Sequence, residues 1–166
     1  MKDIINYDNF SSIISIIEAA KQRAMKAVNA ELINMYWEVG KYLSSLVENS
    51  SFGDKVIDEV AAYIAESNPT IKGFNRRGLY RMKQFYETYK DDEIVSTLLT
   101  QISWSNHLLI MSGAKSAEER HFYIELSIKN QYSSRELERQ IDSAYYQRYM
   151  LSAQKPLHES VPSNVR

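Results

Sequence analysis

The chain has 166 residues, 44% of them hydrophobic, and a formal net charge of −1, which is typical of one globular domain or of one domain with an appendage. It contains no cysteine, so a disulfide framework and thiolate chemistry are excluded. No apolar run approaches the roughly 20 residues of a membrane span, and residues 1–8 do not resemble a signal peptide. We therefore predict a soluble, cytoplasmic protein without membrane contact.

The spacing of apolar residues predicts an all-α fold. Only five glycines and three prolines occur, no proline precedes Pro69, and the period-two alternation of a β-strand is absent. After Met150 the helical periodicity is lost and the remaining two prolines occur. We predict a helical domain over residues 1–150 and a linker or disordered tail over residues 151–166.

The first predicted helix is unusually long. Asp8 is a candidate N-cap, and apolar residues then recur at helical spacing from Phe10 to Leu46 with no glycine before Gly40. This pattern is compatible with one helix of about 40 residues, with two nearly collinear helices, or with a hairpin that bends near residues 28–31. Because so long a helix exceeds the needs of a small domain, its apolar stripe from Phe10 to Val28 predicts a homodimer interface.

Two further helices resemble a helix-turn-helix element. Residues 54–66 and 75–89 are predicted helices, separated by a turn that contains Gly73, and Asn75 is the candidate N-cap of the second. The turn is longer than is usual in this motif. Later helices are predicted at 93–99, from Ser103 to Gly113, at 117–130 after Ser116, and in a last segment that begins after Ser133.

The second of these helices is basic, with six basic side chains against one acid between Lys72 and Lys90. Its predicted apolar stripe consists of Leu79, Met82, Tyr86 and Tyr89. A face of arginine, tyrosine and glutamine can bind the phosphates and base edges of DNA. The alternative is an ordinary amphipathic helix whose basic face is only solvated. The predicted DNA-binding residues are Arg76, Arg77, Tyr80, Arg81, Lys83 and Gln84.

No catalytic, metal or cofactor site is predicted. The three histidines lack metal-ligand spacing, and the scattered glycines cannot form a phosphate-binding loop. We expect His107 to be a packed histidine beside Trp104 rather than a catalytic one. An enzyme that uses His107 or His121 is a functional hypothesis that these observations disfavour.

Four ordered segments resemble the YhcG-type N-terminal domain family: LINMYWEVGKYL (32–43), KGFNRRGLYRMKQFYETY (72–89), LLTQISWSNHLLIM (98–111) and EERHFYIELSIKNQYSSRELERQIDS (118–143). The resemblance covers roughly residues 30–148. The chain departs from the family's motifs at Asn75, Gly78 and Asn106, where serine, asparagine and histidine are usual.

The resemblance implies a function as well as a fold. Family members usually continue into a C-terminal nuclease domain of the PD-(D/E)xK type, whose residues this sequence lacks, so we expect a fragment cut at a domain boundary or a stand-alone paralogue without nuclease activity. The leading hypothesis is a dimeric DNA-binding module that positions or accompanies a nuclease domain. The alternative is a protein-interaction or dimerisation domain without direct DNA contact.

Overall fold

The computed structural model describes residues 7–153, and within that range the chain is helical and contains no β-strand. The predicted all-α class with a long N-terminal helix is confirmed. The chain divides between Asp91 and Asp92 into two compact units. The elements are α1 (Tyr7–Glu48), α2 (Lys55–Ser67), α3 (Arg76–Tyr89), α4 (Glu93–Ser96), a 3-10 turn (Leu99–Gln101), α5 (Trp104–Gly113), α6 (Ala117–Asn130), α7 (Ser134–Asp142) and α8 (Tyr145–Ala153).

Helix α1 is one continuous helix of 42 residues, about 63 Å long at 1.5 Å per residue. The hairpin alternative is therefore wrong, because nothing in residues 28–31 interrupts the backbone hydrogen bonds of the helix. In the described residues the helix begins at Tyr7, so Asp8 lies in its first turn and does not precede it as a cap.

The C-terminal half of α1 packs against α3 through Ile33, Gly40 and Leu43, which are buried. A Cβ atom on Gly40 would lie 2.1 Å from the backbone oxygen of Met82, so the absence of a side chain lets the two helices approach closely. At 100° per residue, this buried face lies roughly 130° around the helix from the stripe that begins at Phe10.

Aromatic side chains fill the contact between α1 and α3. The Trp37 ring lies edge-on to Phe85 and Tyr86, with ring centroids 5.8 Å and 5.0 Å apart, and Phe85 contacts Tyr89 at 5.6 Å. Of the predicted stripe, Leu79, Met82 and Tyr89 are buried, while Tyr86 is half-buried. Phe85 is fully buried and was not predicted to be part of the stripe.

Helix α2 and the turn after it complete the first unit. Ile57 is the buried residue of α2, whereas Tyr63 is 71% exposed. The Asn75 side chain caps α3 as predicted, accepting a 2.8 Å hydrogen bond from the backbone N–H of Gly78. A Cβ on Gly78 would lie 2.1 Å from the Gly73 oxygen, so glycine at position 78 lets the turn fold over the first turn of α3. The helix-turn-helix interpretation of α2 and α3 stays a prediction.

The second unit comprises α4 to α8. Predicted caps form at Ser103, Ser116 and Ser133, each accepting from a backbone N–H three residues ahead. The predicted single last helix is wrong, because α7 ends at Asp142 and Ala144 adopts a left-handed φ of 56° before α8 begins. The buried apolar residues of this unit are Val95, Leu99, Ile102, Ile110, Ala114, Tyr123, Ile124 and Leu137.

The predicted boundary at residue 150 falls inside α8, which continues to Ala153. The rest of the predicted tail, residues 154–166, lies outside the described residues. The division of the chain into a domain over 1–150 and a tail stays a prediction.

Candidate functional site

The polar side of α3 consists of two parallel strips. Arg76, Tyr80 and Lys83 recur at intervals of four and three residues and share one strip, and Arg77, Arg81 and Gln84 repeat the same spacing one residue later. We call them the Arg76 strip and the Arg77 strip. The buried residues of α3 lie on the side of the helix opposite to these strips.

The Arg76 strip begins with an ion pair to α2. Nε of Arg76 lies 2.6 Å from Oδ1 of Asp58, and its guanidinium lies 5.5 Å from the centroid of the Tyr80 ring. The Tyr80 side chain and the Asp58 carboxylate both raise the pKa of Arg76. The Tyr80 hydroxyl in turn donates to the backbone oxygen of Asp54 at 3.4 Å. Arg76 and Tyr80 therefore connect α3 to α2.

The same strip ends with an ion pair within α3 that reaches α1. Nζ of Lys83 lies 3.0 Å from Oε1 of Glu87, and the Ser44 hydroxyl donates to the same carboxylate oxygen at 2.9 Å. Partial burial opposes ionisation of Glu87, but the hydrogen bonds from Lys83 and Ser44 outweigh it and lower the pKa of Glu87. The Lys83 side chain is only 17% exposed. Lys83 is thus neutralised by a carboxylate that also contacts α1.

An open depression of about 320 Å³ lies along this strip. Two carboxylates and one ammonium group are among its lining side chains, so it offers no net positive charge to an anion. Its lining residues are Asp54, Tyr80, Lys83, Gln84, Glu87 and Thr88.

The Arg77 strip is different because its charges have no acidic partner in residues 7–153. Arg77 and Gln84 are exposed and Arg81 is half-buried, and neither arginine forms an ion pair there. Two guanidinium groups one helical turn apart can contact successive phosphates of one nucleic-acid strand. Of the six predicted DNA-binding residues, the structure places three on this unpaired strip. The ion pair between Lys83 and Glu87 can be predicted from their spacing of four residues on one helix. The ion pair of Arg76 with Asp58 depends on how α2 and α3 pack.

A second candidate surface is the N-terminal half of α1, where every residue from 7 to 28 is exposed. We call the apolar face of this segment the α1 stripe. Phe10 is 50% exposed, Ile17 is 47% exposed and Val28 is 59% exposed. An apolar face of this length on a monomer indicates an interaction surface. The α1 stripe consists of Phe10, Ile13, Ile14, Ile17, Ala20, Ala24 and Val28.

The histidines do not form a catalytic cluster in the described chain. His107 is fully buried, its Nε2 lies 2.8 Å from the backbone oxygen of Leu99, and burial lowers its pKa to about 4. His121 contacts the Asp92 carboxylate, which also caps α4 by accepting from the N–H of Val95. Among residues 7–153, no three histidine, aspartate or glutamate side chains are placed to hold a metal ion. His158 lies outside that range.

Comparison with known proteins gives the family. The model of the DUF1016 N-terminal domain matches residues 12–148, which includes all four sequence segments that suggested the resemblance. The chain belongs to this family. A protein of Escherichia coli (strain K12) named "Putative nuclease YhcG" is 23% identical over 176 aligned positions, a match that covers 86% of this chain and 46% of that protein.

The chain therefore spans less than half the length of this relative. No solved structure matches the chain. No helix in the described part of the chain is both long and apolar enough to cross a membrane.

Proposed function

We propose that this chain is the dimeric, DNA-binding N-terminal module of a nuclease-associated protein, and that it positions a nuclease domain on DNA. The observation that carries the proposal is the α1 stripe, because 22 successive residues of α1 are exposed although their apolar spacing is regular. A family relative named as a nuclease supports the association with nuclease activity.

The α1 stripe supports self-association energetically. Two copies would bring together ten large apolar side chains, each contributing about 0.8–1.5 kcal/mol, half the value for full burial. The resulting total of roughly 8–15 kcal/mol is comparable to the cost of association, roughly 4–15 kcal/mol. Because a micromolar dissociation constant needs a net gain of about 8 kcal/mol, we expect a weak, reversible dimer.

The dimer can be tested with two exposed positions of α1. Ile17 lies in the stripe, whereas Ser15 lies about 160° around the helix from the centre of the stripe. Ile17→Glu should convert the dimer to a monomer, because it places a carboxylate in the apolar contact. Ser15→Glu should leave the dimer intact. Sedimentation equilibrium at tens of micromolar protein measures both variants, and a parent protein that sediments as a monomer would contradict self-association.

DNA contact is supported by the Arg77 strip. Two unpaired guanidinium groups per copy would bind backbone phosphates, and Gln84 beside them can hydrogen-bond to DNA. The other two predicted cations already face carboxylates, which favours a smaller phosphate contact than the sequence alone predicts. This neutralisation is also the observation that favours the alternative, a dimerisation domain without DNA contact.

The two strips allow a matched test of DNA binding. Arg77→Ala with Arg81→Ala should lower affinity for all duplex sequences and flatten the dependence of log K on log salt by about two units per copy. Arg76→Ala with Lys83→Ala removes the same formal charge but should have a smaller effect, since those cations are paired. Fluorescence anisotropy with a labelled duplex over a salt series measures both. Equal effects of the two double variants, or no binding by the parent at low salt, would support the alternative.

A further inference from the structure

The order of residues along the α1 stripe favours one relative direction for two paired copies of α1. This inference rests on the proposed self-association. Bulky side chains from Phe10 to Ile17 occupy its N-terminal half, whereas Ala20 and Ala24 precede Val28 in its C-terminal half. One charged residue, Lys21, falls inside the stripe, four residues after Ile17 and three before Ala24. Lys21 forms no ion pair within residues 7–153.

A parallel, in-register pair of α1 helices is disfavoured by this arrangement. Each residue would lie beside its own copy, so the two Lys21 ammonium groups would meet inside the apolar contact. Like charges in a contact seam repel and are desolvated without compensation. Ala20 and Ala24 would also face their copies, so the C-terminal half of the contact would be thinly packed beside a bulky N-terminal half.

An antiparallel pair removes both problems. With the two-fold axis near Ala19, Phe10 of one copy lies opposite Val28 of the other, and Ile14 lies opposite Ala24, so large side chains meet smaller ones. Lys21 then lies opposite the Ile17 of the second copy. Its aliphatic stem can cover that isoleucine while its ammonium group reaches the neighbouring Glu18 of the second copy.

We propose that two copies of this chain pair through residues 10–28 of α1 as an antiparallel helix pair, with Lys21 of each copy facing Glu18 of the other. The contact of α1 with α3 lies at Gly40, 21 residues from the axis, which is about 32 Å along the helix. The two copies of α3 then join the paired helices at points roughly 63 Å apart, the length of about 18 base pairs of duplex DNA.

Disulfide cross-linking distinguishes the two arrangements cleanly because the chain has no cysteine of its own. Phe10→Cys and Val28→Cys are made separately in the full chain, one with a tag that changes its mass. In the antiparallel pair, mild oxidation should cross-link a mixture of the two into mixed dimers, while each variant alone stays uncross-linked. Ser15→Cys, on the opposite side of the helix, is the control and should not cross-link.

The outcomes separate this inference from the proposed function. Strong cross-linking of Phe10→Cys with itself would establish a parallel pair and overturn the antiparallel arrangement while leaving the dimer intact. A dimer in sedimentation without any of these cross-links would show that another surface or another partner covers the contact, and would also overturn it. A monomeric parent would contradict the self-association on which both depend.

A charge exchange tests the predicted ion pair independently. Glu18→Lys and Lys21→Glu should each weaken the dimer roughly threefold to tenfold, since each change affects two symmetric pairs. The double exchange should restore the parent affinity in the antiparallel pair. Lys21→Glu without loss of affinity, or no restoration in the double variant, would overturn the contact between Lys21 and Glu18. Dissociation constants from sedimentation measure all three variants.

Discussion

The two halves of α1 have equally regular apolar spacing but different surroundings. In residues 7–28 every side chain is exposed, including Ile13 and Ile17, whereas in residues 29–48 Ile33 and Leu43 are buried against α3. The buried face of the second half is turned by roughly 130° from the stripe of the first half, and it includes a glycine. Apolar periodicity thus identifies the helix, but it does not identify which side of the helix the rest of the unit covers.

The largest expected effect is a difference between two isoleucines of α1. Ile33 is 1% exposed and Ile13 is 55% exposed. In an Ile17→Glu background, which removes self-association, Ile33→Ala should lower the free energy of unfolding by about 2–5 kcal/mol because it leaves a cavity. Ile13→Ala should change it by less than about 0.5 kcal/mol. Urea unfolding followed by circular dichroism measures both. Similar losses of unfolding free energy in the two variants would contradict the exposure of residues 7–28.

A second difference concerns glycine in the two halves. Alanine normally stabilises a helix by about 1 kcal/mol relative to glycine, so in the same Ile17→Glu background Ala24→Gly should cost about that amount in the exposed half. Gly40→Ala should instead destabilise the protein by about 1–3 kcal/mol, because its Cβ would overlap the Met82 backbone. The same unfolding measurement tests the pair. Stabilisation by Gly40→Ala would show that α1 and α3 are not in close contact.

The smallest expected effect is the pH dependence of the Glu87 ion pair, which connects α3 to the second half of α1. Because the pKa of Glu87 is lowered in the folded protein, its contribution to stability is present above about pH 4.5 and is lost as pH falls through the folded value. Exposure limits this contribution to less than about 1 kcal/mol. Glu87→Gln should therefore be less stable than the parent at pH 7, and the difference should shrink as the pH falls below 4.5. A constant difference between pH 7 and pH 3 would contradict the ion pair.

Several features of this protein follow from the sequence alone because they depend on residues close together in the chain. The absence of proline and glycine before Gly40 predicts a long α1, although it is also compatible with a helical hairpin. The side chains of Asn75, Ser103, Ser116 and Ser133 cap helices where the sequence predicts, since each cap needs only a backbone N–H three residues ahead. The four motif segments also predict the family.

The tertiary structure decides what depends on residues far apart in the chain. Arg76 is neutralised by Asp58, which precedes it by 18 residues, so a helical wheel of α3 cannot distinguish it from the unpaired Arg77. Gly40 is buried because Met82 approaches it, and the wheel of α1 does not show that contact. Short-range hydrogen bonding and helical periodicity therefore determine the helices and their caps, whereas the packing of α1, α2 and α3 determines which apolar side is covered and which charges remain available.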